Sequence, residues 1–586
     1  MKLKKIDKQT PPMQPRDLLR ELLQVVRLQK ARWGFGLFAS QGIALLEAGF
    51  IAVLYLLVDS GKRVLVQQKT ISLLARFHEV WEISDALFLY LLFGMSLIFL
   101  ALVVILKHKS EVNLQKLQQD LCLHFSKRII EIYLRASLTL SRKIGKERIV
   151  SSIIYDCRTL GDSARKMLDL VGATGSFLLF VIGACFLSLK ILLVAGLVYI
   201  LPLWINRRGY RKIRKISSVK VTTQEELLSY FTDTLSGLER IKLDALENTV
   251  LEKSKTMIHK DWDWREEQHT IKSKVKVSMD GLAFLGLLLI LFGGVVILHE
   301  KLSTLMVLFV VFNRIKTQTT LFSTTYLKLG EKMPNVYRYF NLSRKLESKQ
   351  PCVEAPESLG FRSIDMKQVF FGYDGAPVLK GIDLQAEAGD RILIQGPSGH
   401  GKSTLLEILS GLLPPTEGFV SIDGRVFDEV LFYKIRHQIA YVSPEVYLFE
   451  GTLKNNLLIG CPEKEMELQR VLAFSGLDLA LRDLPLGLET PLGRNGNALS
   501  LGQRARVILA RLYLKNPRMI LMDEATANLD PLLEEQMMQN LESHLDPKAI
   551  LILVAHKAPK GMKFNKHFRI ETGHLIAVPP EGIMAE

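Results

Sequence analysis

The distribution of apolar positions divides the chain in two. Six apolar runs crowd into its first part, at 33–58, 86–106, 170–189, 191–206, 281–299 and 302–326. A helix needs about 20 mostly apolar residues to cross about 30 Å of hydrocarbon, so each run qualifies or nearly does. The run 191–206 is short and carries Pro202, but its closeness to 170–189 predicts a tight helical hairpin. After residue 355 the pattern changes to short apolar strands alternating with helical stretches, as in a soluble α/β domain.

Two segments between the runs, 107–166 and 207–277, are long, rich in Lys and Arg and poor in Pro and Gly. Two helices of about 28 residues in each would project about 40 Å from the bilayer. The sixth run continues as helix-forming sequence through 327–346, and residues 347–360 (ESKQPCVEAPESLG) read as a linker. At 586 residues the chain exceeds what one hydrophobic core supports.

Charge then supplies an orientation. The formal net charge is +16. Nucleic acid is one explanation of such a balance. Basic cytoplasmic loops beside anionic lipid are the simpler one where spans are present, so the bilayer is an expected partner and nucleic acid is not. Segment 1–32 holds nine basic and three acidic residues, whereas 59–85 holds four of each. The basic segments face the cytoplasm on this reading, as do both termini. No short apolar run with a cleavage site follows the basic N-terminus, so a cleaved signal peptide is not expected. Five scattered cysteines outside any CxxC pair read as reduced thiols without a metal or disulfide role. Glu47, Asn313, Arg314 and Lys316 fall inside apolar runs. Charges there are costly, so these side chains either line a polar cavity, pair with one another or snorkel.

The chemistry lies in the second part. Gly396-Pro397-Ser398-Gly399-His400-Gly401-Lys402-Ser403-Thr404 fits GxxxxGK[ST]. It follows the strand-like Arg391-Ile392-Leu393-Ile394-Gln395 and precedes a helical start, the context a phosphate-binding loop requires. Its glycines let backbone N–H groups wrap phosphate, and the following helix N-terminus adds positive field. Lys402 is expected to reach the β- and γ-phosphates of ATP, and Ser403 to bind Mg²⁺. Further on, Met519-Ile520-Leu521-Met522 ends in Asp523-Glu524, a buried strand delivering two carboxylates to its C-terminal edge. Asp523 is expected to hold Mg²⁺ and Glu524 to act as general base on the attacking water.

These motifs, with those around them, resemble the nucleotide-binding domain of ABC transporters. Leu499-Ser500-Leu501-Gly502-Gln503 is similar to the signature LSGGQ, Ala527-Asn528-Leu529-Asp530 to the D-loop, His556 to the switch histidine, and Tyr373 to the aromatic that stacks on adenine. The first part resembles the six-helix exporter type, where Phe231–Gly237, continuing to Ile241-Lys242, matches the second cytoplasmic loop. The resemblance implies a membrane all-α six-helix transmembrane domain (33–346) after a cytoplasmic segment (1–32). It then implies the linker (347–360) and an α/β P-loop NTPase of ABC type (361–586). It also implies two cassettes packed head to tail, so that Ser500, Gly502 and Gln503 of one, with Asp530 and His556, contribute to ATP held on the P-loop. One P-loop and one signature per chain then require a second copy of the chain or a related half-transporter.

Three departures from the family pattern stand out. Pro444 follows Ile439-Ala440-Tyr441-Val442-Ser443 where a glutamine is usual, and proline has no side-chain oxygen to offer Mg²⁺ or water. Leu501 replaces the first glycine of the signature. Arg494 stands where an acid is usual, with Glu225, Glu226 or Asp233 as conceivable partners. The sequence is therefore read as an ATP-hydrolysing exporter subunit in a membrane, with a bacterial inner membrane as the expected location. The alternative is a weakly hydrolysing regulator, or the degenerate half of a heterodimer. The substrate is not legible; a peptide, protein, lipid or small molecule all fit.

Overall fold

The computed structural model describes residues 27, 29–66, 85–187, 207–292, 302–347, 356–373, 375–444, 446–482, 484–493, 496–526 and 529–579. The chain divides into two compact units. One comprises Met1–Arg135 and Ser141–Ser348, the other Lys349–Glu586 with the short segment Ala136–Leu140.

The first unit is helical. Among the described residues six helices reach 30 residues or more: α1 (Lys30–Val66), α2 (Asp85–Arg135), α3 (Cys157–Leu187), α4 (Arg207–Ser236), α5 (Glu247–Phe292) and α6 (Leu302–Glu347). At 1.5 Å per residue, α6 alone is about 70 Å long, and it runs on through Pro334. Three stretches are long and apolar enough to cross a membrane among the described residues: Lys30–Val53, Leu89–Arg135 and Lys146–Gly183. On α2 the side chains of Tyr90, Phe93, Ile98 and Val104 are exposed, as lipid-facing positions require. Of the six apolar runs, 191–206 lies outside the described residues, as do 188–189, 293–299 and most of 1–32 and 347–360.

Small residues set how closely these helices approach. A Cβ on Gly49 would lie 3.1 Å from the Phe99 ring, and one on Gly161 would lie 2.5 Å from the Gln118 carbonyl, so α1 and α3 both meet α2 at short range. Helices α4, α5 and α6 share a core of Ile213, Ile216, Ile271, Val275, Met279 and Leu327.

Buried charge ties the same helices. A π-helical turn over Ser152–Asp156 precedes α3 and delivers Asp156 into the interior, with no solvent exposure. Arg338 on α6 grips it through Nε–Oδ2 at 2.8 Å and Nη2–Oδ1 at 2.5 Å, and reaches Glu225 on α4 at 3.0 Å. Glu225, one of the conceivable partners of Arg494, is thus engaged by Arg338; Arg494 itself lies outside the described residues. Glu47 on α1 is buried and meets Lys107 of α2 at 2.9 Å and Arg314 of α6 at 3.5 Å, while Lys316 pairs with Asp280 at 3.4 Å. Of the readings open for these residues, mutual pairing is what Glu47 and Arg314 adopt.

The second unit is α/β. A four-stranded antiparallel sheet has the order β2-β1-β4-β5, with β1 (Ser363–Tyr373), β2 (Ala376–Glu387), β4 (Glu417–Ile422) and β5 (Arg425–Val426). A six-stranded sheet has the order β10-β9-β3-β8-β7-β6. Its strands are β3 (Arg391–Gln395), β6 (Ile439–Val442), β7 (Met519–Asp523), β8 (Ile550–Val554), β9 (Lys566–Glu571) and β10 (His574–Ala577). All but β10 run parallel. Strands β3, β7 and β8 are buried on both faces, which explains their near-continuous apolar sequences. Three helices of this unit begin at a motif residue or directly after one: α7 (Lys402–Leu409), α8 (Leu501–Lys515) and α9 (Pro531–His544).

Candidate functional site

In a parallel sheet every strand ends on the same side, and the crevice outside those ends is where ligands bind. Neighbouring strands β3, β8, β7 and β6 here end in, respectively, the loop Gly396–Gly401, Ala555-His556, Asp523-Glu524 and Ser443-Pro444. Residues separated by up to 160 positions in the chain are thereby brought to one edge.

The loop can only be built from glycine at two points. Gly396 has φ +153°, and a Cβ there would lie 2.4 Å from the Ile570 carbonyl of β9. Gly401 has φ +99°, and its Cβ would lie 2.8 Å from Leu379. Left-handed backbone costs other residues about 1–2 kcal/mol even in open space. His400 fastens the loop from outside, its Nδ1 accepting from the Thr572 amide at 3.2 Å. Lys402 opens α7 and is buried; its ammonium donates to the carbonyls of Gly396 at 2.8 Å and Pro397 at 3.2 Å. Ser398, Gly399 and Thr404 complete the loop and the first turn of α7.

Lys402 Nζ also lies 3.3 Å from Glu524 Oε1, and His556 Nε2 lies 3.1 Å from that same oxygen. Glu524 adopts φ +47°, a left-handed turn just past the strand, while its amide still donates to the Val554 carbonyl at 2.9 Å. Strain of this kind in a non-glycine residue is concentrated at functional sites. Gln395 Nε2 donates to the His556 carbonyl at 3.1 Å and fastens the histidine segment to β3.

Asp523, beside Glu524, is buried. Burial raises its carboxyl above the usual range, and hydrogen bonds from Ser403 and Tyr441 pull it back toward ionisation. Ser403, in the first turn of α7, and Asp523, at the end of β7, are thus adjacent hard oxygen donors, a set that suits Mg²⁺. Tyr441, on β6, donates to Asp523 Oδ2 at 3.2 Å. In the sequence the stretch Ile439–Ser443 serves only to locate Pro444, and this tyrosine is passed over. The signal available there is a polar tip on a strand otherwise apolar.

The remaining expected residues lie elsewhere in the unit. Tyr373 ends β1 exposed, its ring edge-on to Phe371 at 5.0 Å. Ser500 caps α8: Gln503 N donates to its Oγ at 3.2 Å, and Ser500 N donates to Gln503 Oε1 at 2.9 Å, a reciprocal capping box. The signature glutamine thus organises a helix N-terminus. A Cβ on Gly502 would lie 2.8 Å from Leu533 of α9, which accounts for glycine there. Leu501 is exposed, so its departure from the family pattern disturbs no core. Asp530 caps α9 through the Leu533 amide. Ala527 and Asn528 lie outside the described residues.

Residues 379–527 match the ABC transporter family model. The chain is 27% identical over 377 residues to ABC transporter B family member 29, chloroplastic, of Arabidopsis thaliana, a match covering 62% of this chain and 58% of that protein. It therefore spans under two thirds of that relative's length. It is 25% identical over 441 residues to an ATP-dependent lipid A-core flippase of Syntrophus aciditrophicus, covering 73% of this chain and 72% of the relative. A solved bacterial Atm1-family ABC exporter with ATP bound superposes with a TM-score of 0.78 at 20% identity, over 96% of this chain and 95% of that one. The chain thus has the fold of an exporter-type ABC half-transporter, a helical membrane unit followed on the same polypeptide by one ABC transporter cassette.

Proposed function

We propose that this chain is one half of an ATP-driven exporter that works as a dimer, with a second copy or a related half-transporter as its partner. The observation that carries the reading is the convergence of Lys402, Asp523, Glu524 and His556 at the ends of adjacent parallel strands. A cassette that had lost hydrolysis would have little reason to keep all four. We place both termini and the cassette in the cytoplasm, and the helical unit in a bacterial inner membrane.

Each residue has a definite task. Loop amides and the Lys402 ammonium receive the phosphates of ATP; the ammonium already faces carbonyl oxygens at that spot. Tyr373 is exposed and free to stack on the adenine. Ser403 and Asp523 would hold Mg²⁺, which when bound would supply positive charge beside the phosphates. Glu524 accepts a proton from the attacking water, and His556, against the same carboxylate oxygen, fixes its orientation. Ser500 and the Gly502 amide, at the capped N-terminus of α8, face the other cassette's nucleotide on this reading.

The test of the reading is phosphate release by purified protein in proteoliposomes, wild type against Glu524→Gln. Loss of a general base should slow hydrolysis about 10²- to 10⁴-fold. Equal rates in the two proteins would instead mark a nucleotide-binding regulator.

A further inference from the structure

We propose that Tyr441 is a positioning residue for the Mg²⁺ site, its hydroxyl holding the Asp523 carboxylate in place of help that Pro444 cannot give. The inference rests on the ATPase reading and adds to it a residue outside the motifs.

The register of the sheet puts the two side chains together. Tyr441 pairs with Leu521, and Val442 with Met522, in the parallel ladder of β6 and β7. Side chains alternate across a sheet, so Tyr441, Leu521 and Asp523 share one face. Packing agrees: Leu521 belongs to the core beneath α7, with Leu405, Leu406 and Ile408, and the Tyr441 ring packs on that core. Val442 and Met522 belong to the core on the opposite face. The phenol ring lies in apolar surroundings, and its hydroxyl reaches the end of the neighbouring strand, 3.2 Å from Asp523 Oδ2.

Asp523 is bracketed as a result. Ser403 approaches from the first turn of α7 and Tyr441 from β6. A buried carboxylate that must present an oxygen to a cation needs its other lone pairs satisfied in one orientation, since supporting hydrogen bonds set metal affinity. The next turn of the chain after β6 offers Pro444, exposed and without a side-chain oxygen. The Tyr441 hydroxyl therefore takes up a support that would otherwise come from the residue at 444.

The test uses full-length protein in nanodiscs and binding of Mn²⁺, a spectroscopic substitute for Mg²⁺, with a non-hydrolysable ATP analogue. Tyr441→Phe keeps the ring and removes only the hydroxyl. The half-saturating Mn²⁺ concentration should rise about ten- to a hundredfold, the loss of one supporting hydrogen bond to a charged metal ligand. Analogue affinity without divalent cation, and the melting temperature, should stay as in wild type. Adding Pro444→Gln to Tyr441→Phe should recover most of the lost metal affinity, whereas Pro444→Gln alone should change it little. An unchanged Mn²⁺ titration in Tyr441→Phe overturns the proposal. So does a parallel fall in metal-free analogue affinity, which would assign the residue to packing. If wild type releases no phosphate yet the Mn²⁺ titration shifts as described, the hydrolysis reading falls and the role of Tyr441 stands.

Discussion

Arg338→Ala should loosen the helical unit where α3, α4 and α6 meet, and the structure sets the size of the effect. Asp156 has no solvent exposure, and Arg338 meets both of its oxygens at 2.8 and 2.5 Å. Removing one partner of a buried pair strands the other charge and costs about 3–5 kcal/mol. A built-in control is Arg128–Glu347, 2.8 Å apart but with both side chains more than a third exposed; breaking it should cost no more than about 1 kcal/mol. Cys157 provides the assay, because it is fully buried and adjacent to Asp156. Its alkylation, followed by mass spectrometry of the labelled peptide in nanodisc-held protein, reports how often this region opens. At about 1.4 kcal/mol per factor of ten, Arg338→Ala should speed labelling by about two to three orders of magnitude. Arg128→Ala should change it by about fivefold or less. Arg338→Met combined with Asp156→Leu should recover most of the protection, since the fully buried carboxylate goes with its partner and Glu225, the other partner of Arg338, is about a third exposed and keeps contact with water. Labelling of Arg338→Ala within about threefold of wild type would refute the argument, for it would mean that Asp156 is not held by Arg338 in solution.

Other outcomes concern the cassette. Gly401→Ala combines left-handed strain with a contact 2.8 Å from Leu379, so fluorescent ATP analogue should bind at least about tenfold more weakly while the fold is retained. Ser500→Ala removes the cap of α8 and should lower cassette stability by about 1 kcal/mol, read as an earlier cassette transition in calorimetry of the full chain. Asp390 accepts from the Glu387 amide and from Asn565, each at 2.7 Å, and pairs with Lys566 at 2.7 Å. Burial alone would raise its carboxyl, but these partners together hold it below the usual range. A depressed carboxylate stabilises the fold above its unfolded value near pH 4, and that contribution fades as pH falls through the folded value. Asp390→Asn should therefore cost about 1.5–3 kcal/mol at neutral pH, with the gap to wild type closing in melts below about pH 4.

Legibility of the chain tracks interaction range. GxxxxGK[ST] after an apolar strand is a local pattern, and Lys402 lies where that pattern requires. The strand ending in Asp523-Glu524 can be read because burial on both faces leaves a continuous apolar run. The long helices can be read from apolar length and scarcity of breakers, down to the uninterrupted α6. Pairings across the chain cannot. Glu47 finds Lys107 across 60 positions, and Arg338 finds Asp156 across 182. Those matches depend on which helix packs beside which, and a periodic pattern carries no such information. Tyr441 is hidden for the same reason: its role depends on β6 lying next to β7, an adjacency set by sheet order and not by any motif.

The position of β3 has a consequence for how the cassette is made. The strand that launches the P-loop is flanked by β8 and β9, and both are encoded more than 150 residues after it. Gly396 rests against Ile570, and His400 against Thr572, near the far end of the same domain. A growing polypeptide that has emerged only as far as Asp523 would hold its phosphate loop beside two bare strand edges. Such edges invite wrong pairing, and non-local closure is slow. Nascent cassettes should therefore acquire nucleotide only after release of their last strands, and arrested translation products ending before residue 566 should depend on chaperones to stay soluble.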